Sequence, residues 1–386
     1  MIDLSLDQNK ALESLYSWQK AASGGSITLG GYAGTGKTTL ISILRKKIHE
    51  EQKKKTVAFA SFTGKASRVL AHKLQDNQSI YKKDVVGTIH SLIYSPLVNS
   101  KEEIIGWTPK ESLPFDLVII DEASMVDENI WKDLTSYGVP IIAVGDHGQL
   151  PPINGQFNLM KSPELTLLEI HRQAKGNPII QISIYAREKG VIPFGAFGSQ
   201  VKKIKRTDVE TEEIIEHTLN SYKKDTLILC GYNTTRVRIN TFIRSSLDRN
   251  PSIPVKGDRV ICLRNNHKTR VFNGMLGEIL AIENKDMAWY KAEIKMDGEK
   301  NVYKGLIARE QFGANSALNF TQKRGRFMRG DLFDFGYALT VHKAQGSQAK
   351  KVVLFEERFG KSDEEMWRRW LYTAVTRAEE ELLIFG

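Results

Sequence analysis

The residues best suited to chemistry lie in GYAGTGKTT, Gly31 to Thr39, which fits the pattern G-x-x-x-x-G-K-[ST] with every fixed position filled. Gly31, Gly34 and Gly36 let backbone N–H groups turn inward around a phosphate chain, with Thr35 and Thr39 lining the same turn. The helix expected from Leu40 to His49 points its positive end at that anion. Lys37 would reach the β- and γ-phosphates, and the Thr38 hydroxyl would hold Mg²⁺. A second group follows in FDLVIIDEAS, where an apolar run ends in Asp121, placed to hold the Mg²⁺ water shell, and Glu122, placed to polarise a water. A third is GDHGQLPPI, where Gln149 is placed to sense the γ-phosphate, Asp146 orients the loop, and Pro151 and Pro152 stiffen its exit. In LLEIHRQ, Arg172 is a candidate for the positive charge that phosphoryl transfer requires.

Further polar residues stand just after apolar runs. FTGKASRVL offers Thr63 and Lys65 at a helix start suited to a nucleic-acid phosphate, although Lys65 would equally serve as a solvated charge. Phe62, just before them, could stack on a base or fill core. GTIHSLIY carries Thr88 and His90; a lone histidine is usually structural or exposed. FGYALTVHKAQGSQ reads as a strand entering a loop with Thr340, His342, Lys343, Gln345 and Ser347. YTAVTRAEEELLIFG places Arg377 on a helix before a last strand. Gln8 opens an amphipathic helix built on Leu6, Ala11, Leu12, Leu15 and Trp18; its amide could read an adenine edge, and taken alone it reads as a surface residue.

These positions need a doubly wound α/β frame. Strands are expected at Thr56 to Ser61, Phe115 to Ser124 and Val139 to Val144, alternating with helices. Residues 1–175 form the first lobe, with a small hairpin insertion at 91–114 that carries Trp107 as an exposed aromatic near its tip. A second lobe takes 176–252 and 330–386. Between them, 253–329 reads as short period-two strands with turns at Asn273-Gly274 and Asp297-Gly298, a small β insertion closed by Lys323, Arg324, Arg326 and Arg329.

The 386 residues carry 55 Lys and Arg against 45 Asp and Glu, a formal charge of +10, which favours a polyanionic partner. Cys230 and Cys262 sit in apolar runs without metal-ligand spacing, as buried reduced thiols would. The N-terminal MIDLSLDQNK lacks the character of a signal sequence, and no run has membrane-spanning length, so a soluble cytoplasmic protein of a bacterial or phage-infected cell, without membrane partners, is expected.

Taken in order, GYAGTGKTT, IIDEASM, GDHGQLPPI, VHKAQGS and YTAVTRA resemble superfamily 1 helicases, and within them the RecD-like branch, over nearly the whole chain. The resemblance implies two RecA-like lobes with ATP and Mg²⁺ between them. Lys37, Thr38, Asp121, Glu122 and Gln149 would face Arg172 and Arg377 as arginine fingers, and Gln8 would read adenine. It implies single-stranded DNA along Thr63, Lys65, Thr88 and His90 on one lobe and Thr340, His342 and Ser347 on the other. It makes the β insertion SH3-like and the hairpin a duplex-splitting pin with Trp107. It further implies 5′ to 3′ movement on single-stranded, tailed or forked DNA by a free-standing monomeric motor. Phe62 departs from the family, where proline commonly stands. An RNA-directed or protein-displacing translocase and a nucleotide-binding recombination accessory protein are the rival readings.

Overall fold

A computed structural model describes residues 4–98, 104–152, 157–169, 176–266, 269, 271–299, 301–318, 329–360 and 363–386. Its contacts divide the chain into two compact units, Met1–Ile180 and Gln181–Gly386.

In the first unit α1 (Leu6–Ala21) starts at a capping box: the Ser5 hydroxyl accepts from the Gln8 N–H, and the Gln8 side chain accepts from the Ser5 N–H. Its Ala11, Leu12, Leu15 and Tyr16 are buried, as the helical spacing requires. There follow β1 (Ser26–Gly31), α2 (Lys37–Glu51), β2 (Val57–Ser61), α3 (Gly64–Asp76), β3 (Val85–Thr88), α4 (Ile89–Ile93), β4 (Tyr94–Val98), β5 (Ile104–Pro109), β6 (Leu117–Asp121), α5 (Glu128–Thr135), β7 (Ile141–Gly145) and β8 (Leu165–Leu167). The sheet order is β3-β2-β6-β7-β1-β8, every pair parallel. Strands covered on both faces must be apolar, and β2, β6 and β7 are, up to the Ser61 and Asp121 that end the first two. One face packs on Leu12, Leu15, Leu40, Leu44 and Ile48, the other on Ile89, Leu92, Ile93 and Leu134. Truncating a buried leucine such as Leu44 would cost about 2–5 kcal/mol. β4 and β5 form a separate two-stranded antiparallel ribbon.

The point at which the contacts divide falls within α6 (Pro178–Lys189). The second unit continues with β9 (Gly195–Phe197), β10 (Val201–Ile204), α7 (Thr211–Asn220), β11 (Thr226–Cys230) and α8 (Asn233–Ser246). Then come β12 (Arg259–Cys262), β13 (Leu276–Asn284), β14 (Trp289–Met296), β15 (Tyr303–Ala308), β16 (Phe333–Phe335), β17 (Ala338–Thr340), β18 (Ala349–Phe355), α9 (Glu364–Val375) and β19 (Ala378–Phe385). One sheet runs β17-β11-β18-β19-β10-β9, parallel except for the β9 edge. The other, β15-β14-β13-β12-β16, is antiparallel, with Gly274 and Gly298 in the left-handed region at the turns before β13 and after β14.

Helix α8 has no apolar stripe to announce it. Three of its five buried residues, Arg236, Asn240 and Arg244, are polar, and each takes a partner from another segment. Arg236 pairs with Asp334 at 2.9 Å, and Arg244 lies 3.3 Å from Asp258 and over the Phe335 ring. Both cysteines are free and buried, and burial pushes their thiols well above the usual range. Among the described residues no helix is long and apolar enough to cross a membrane.

Candidate nucleotide site and strand-contact loops

In a parallel sheet the carboxyl ends of the strands share one edge, where ligands bind. In the first unit that edge carries Gly31, Ser61, Thr88, Asp121 and Gly145, so most of the residues singled out in the sequence follow directly from it. After β1 the chain turns through Gly34 and Gly36, both at positive φ, into α2, whose first residue has no side-chain cap. The start of α2 thus offers backbone donors and a helix dipole to an anion. A Cβ on Gly31 would stand 2.6 Å from the Thr35 hydroxyl, which keeps that position a glycine. Thr35 is buried and donates to the Tyr32 carbonyl at 2.8 Å. The Lys37 ammonium folds back onto the carbonyls of Gly31 and Tyr32, at 2.7 and 2.9 Å. Thr39 is the third residue of α2.

The end of β6 meets this loop. The Asp121 carboxylate accepts from the Glu122 N–H at 3.0 Å and lies near enough to the Thr38 hydroxyl to be stabilised by it. Burial raises its pKa above the ordinary carboxylate value, opposed by that N–H, by Lys37 and Lys73, and by Thr38. A carboxylate and a threonine hydroxyl brought together are hard oxygen donors of the kind Mg²⁺ takes while keeping most of its water, so these residues fit the metal. Glu122 has φ 56° and ψ 39°, a left-handed conformation for a non-glycine residue, which holds its side chain off the strand direction. After β7, buried Asp146 accepts from the Gly148 N–H at 2.9 Å, and the Gln149 side chain lies 3.5 Å from its other oxygen, so Asp146 does order this loop. The rings of Tyr32 and His147 stand 4.1 Å apart and tie it to the phosphate loop.

Gln8 is no surface residue. It is 1% exposed, and its amide nitrogen donates to the Thr35 carbonyl at 2.9 Å while its oxygen caps α1. Helix α1 is thereby fastened to the phosphate loop through a single side chain.

Thr63 is the N-cap of α3, accepting from Ala66, and Lys65 lies in its first turn. Thr88 caps α4 in the same way. Phe62 is partly buried against the core cluster on the α4 and α5 side. The expected exposure of Trp107 is not what the fold gives. It lies within β5 opposite Pro96, partly buried, with its ring edge-on to His90 at 4.5 Å; His90 also meets Tyr94 at 4.6 Å. The ribbon's pairing pulls the ring onto its own base, away from the turn. Arg172 lies outside the described residues, as do Lys323, Arg324 and Arg326.

In the second unit Thr340 ends β17, and the loop after it holds His342, Lys343 and Ser347. Thr340 and Ser347 are buried. Burial lowers the pKa of His342, and likewise that of Lys343, whose ammonium donates to Asn273 at 3.3 Å. Arg377 departs from the expectation in two ways. Helix α9 ends at Val375 with Thr376 as its cap, so Arg377 stands in the turn before β19. It is 3% exposed and spends its guanidinium inward, on the carbonyls of Thr373 and Ser347 at 3.0 and 3.3 Å and on the Thr376 hydroxyl at 3.2 Å. Orphaned carbonyls at the end of α9 and in the Ser347 loop supply these acceptors.

The segment GYNTTR, Gly231 to Arg236, escaped notice in the sequence. The Glu357 carboxylate accepts from the N–H groups of Gly231 and Tyr232, at 2.8 and 3.2 Å, and from the Thr235 hydroxyl at 2.7 Å. The position of Tyr232, two residues past the end of an apolar strand, was the available signal.

Comparison with known proteins agrees with this arrangement. The family described as AAA domain matches residues 3–196, and the UvrD-like helicase C-terminal domain matches 335–385. The chain is similar to the ATP-dependent RecD2 DNA helicase of Deinococcus radiodurans, 26% identical over 93% of this chain and 47% of that protein, so it spans about half the length of that relative. It is also similar to the RecBCD enzyme subunit RecD of Buchnera aphidicola, 25% identical over 93% of this chain and 70% of the relative. A crystal structure of Bacteroides Pif1 bound to single-stranded DNA shares the fold with a TM-score of 0.57 at 19% identity, covering 100% of this chain and 93% of that one. The chain belongs to the AAA domain family.

Proposed function

We propose that the protein is an ATP-dependent DNA helicase and single-stranded DNA translocase that moves 5′ to 3′ and acts as a monomer on tailed or forked duplexes. The observation that carries this reading is the convergence of Lys37, Thr38 and Asp121, groups fit for a triphosphate and its Mg²⁺, on the strand-end edge that also bears Thr63, Lys65, Thr88 and His90. Bound Mg²⁺ would neutralise charge on the β- and γ-phosphates. Lys37 exchanges its two loop carbonyls for phosphate oxygens. Glu122 takes a proton from the attacking water, Gln149 answers the loss of the γ-phosphate, and Arg172 and Arg377 stabilise charge in the transition state. Thr340, His342 and Ser347 hold the strand from the second unit, and the antiparallel sheet plays the part of an SH3-like accessory element. The β4–β5 ribbon parts the duplex, with Trp107 bracing its base. Strand grip that alternates with nucleotide state turns hydrolysis into movement.

The test is ATP-dependent unwinding of matched duplexes bearing a 5′ or a 3′ single-stranded tail. Strand release from the 5′-tailed substrate is expected. Release only from the 3′-tailed one would overturn the direction, and DNA-stimulated hydrolysis without release from either would overturn the helicase assignment.

A further inference from the structure

Strands β17, β11 and β18 are neighbours in the second unit's sheet and run parallel, so the loops after them rise from one edge. Each loop delivers a ring: His342 after β17, Tyr232 after β11 and Phe359 after β18. Phe359 neighbours both others, its centroid 4.9 Å from Tyr232, edge-on, and 6.3 Å from His342. Tyr232 is 41% exposed, yet it is firmly held: Glu357 takes its N–H, and its hydroxyl donates to the Arg358 carbonyl at 3.3 Å. The preceding Gly231 has no room for a side chain, since a Cβ there would come 2.9 Å from Glu357 Cβ. An aromatic ring kept in water by a built turn asks for a flat apolar ligand. Lys343 follows His342 in the chain, and its ammonium donates to the neutral Asn273 amide. Exposed rings suit unpaired nucleobases, since every base has a stacking face.

We propose that Tyr232, Phe359 and His342 form a stacking ledge for the bases of a single DNA strand, with Tyr232 as its exposed contact. The proposal deepens the strand-binding reading above and rests on it. It adds a base contact that would be indifferent to sequence.

The test is anisotropy titration of a labelled oligo-dT, and of the same backbone with abasic sites, across a salt series. Tyr232→Ala and Phe359→Leu should weaken oligo-dT binding roughly 5- to 150-fold, the range for losing one base stack, whereas Tyr232→Phe should bind like the parent. The salt slope should stay constant, because a lost phosphate contact on a single strand would flatten it by about 0.7. The abasic backbone should bind the parent and Tyr232→Ala alike. Thermal unfolding of each variant separates loss of binding from loss of fold. A folded Tyr232→Ala variant with parental affinity, a flattened slope, or a Tyr232→Phe variant as weak as Tyr232→Ala would each overturn the ledge. Failure of the parent itself to bind oligo-dT would overturn the strand-binding reading and the ledge with it.

Discussion

Replacing Gln8 by alanine removes two bonds at once. The Ser5 N–H loses its acceptor at 3.0 Å, worth about 1 kcal/mol as half of a capping box. The Thr35 carbonyl loses its donor at 2.9 Å inside a loop where Thr35 is fully buried, at a cost of about 1–3 kcal/mol for an acceptor left unsatisfied. The sum, about 2–4 kcal/mol, should appear as a lowered midpoint in urea unfolding. Only the second bond touches the phosphate loop, so ATP affinity should fall as well, by at most the roughly 150-fold that 3 kcal/mol is worth, since only the part of the loss that differs between free and bound loop reaches binding. Gln8→Glu keeps an acceptor for Ser5 but sets a carboxylate against the Thr35 carbonyl at a position 1% exposed, so it should lose at least as much stability as Gln8→Ala and bind ATP no better. Calorimetric titration with ATP alongside urea unfolding makes the comparison. If Gln8→Ala matches the parent in both within about 0.5 kcal/mol, the argument that this side chain fastens α1 to the phosphate loop is wrong.

Arg377→Ala should lower single-turnover hydrolysis by ~10³-fold or more while ATP binding changes little; equal losses in both would remove the finger role. Trp107→Ala strips the ring from His90 and should reduce duplex unwinding per ATP hydrolysed, measured by running both assays on one forked substrate; unchanged coupling would end the pin assignment. His342 has its pKa depressed by burial, so the unfolded chain binds its proton more readily than the folded one. Its contribution to stability is intact above about pH 6.5 and is lost as the pH falls below that value. His342→Gln should therefore lose less stability than the parent between about pH 6.5 and 5 in denaturant titrations.

The first unit was legible because its strands are covered on both faces and read as unbroken apolar runs. Val57 to Ser61 and Leu117 to Asp121 could hardly be anything else, and the polar residue that ends each run lies at the ligand edge. Spacing reaches less far where polar groups do the packing. Helix α8 is buried through Arg236, Asn240 and Arg244; the partners of the first two, Asp334 and Ala338, lie 98 positions on, and that of the third, Asp258, lies beyond the helix end. Gln8 looked like a surface residue because nothing in its neighbours reveals a carbonyl 27 positions on. Trp107 and Arg377 were expected in surroundings the fold does not give them: a ring finds a partner in His90, and a guanidinium finds carbonyls at a helix end, by tertiary contact alone.

Between β16 and β17 only Gly336 and Tyr337 separate a strand of the antiparallel sheet from one of the parallel sheet. A Cβ on Gly336 would stand 2.8 Å from the Val260 backbone, and the Asn240 amide oxygen accepts from both the Tyr337 and Ala338 N–H groups. Mechanically this is a weld without slack. A displacement starting at the Thr340 loop should therefore carry the antiparallel sheet with it, an expectation that lengthening the junction by a few flexible residues would test.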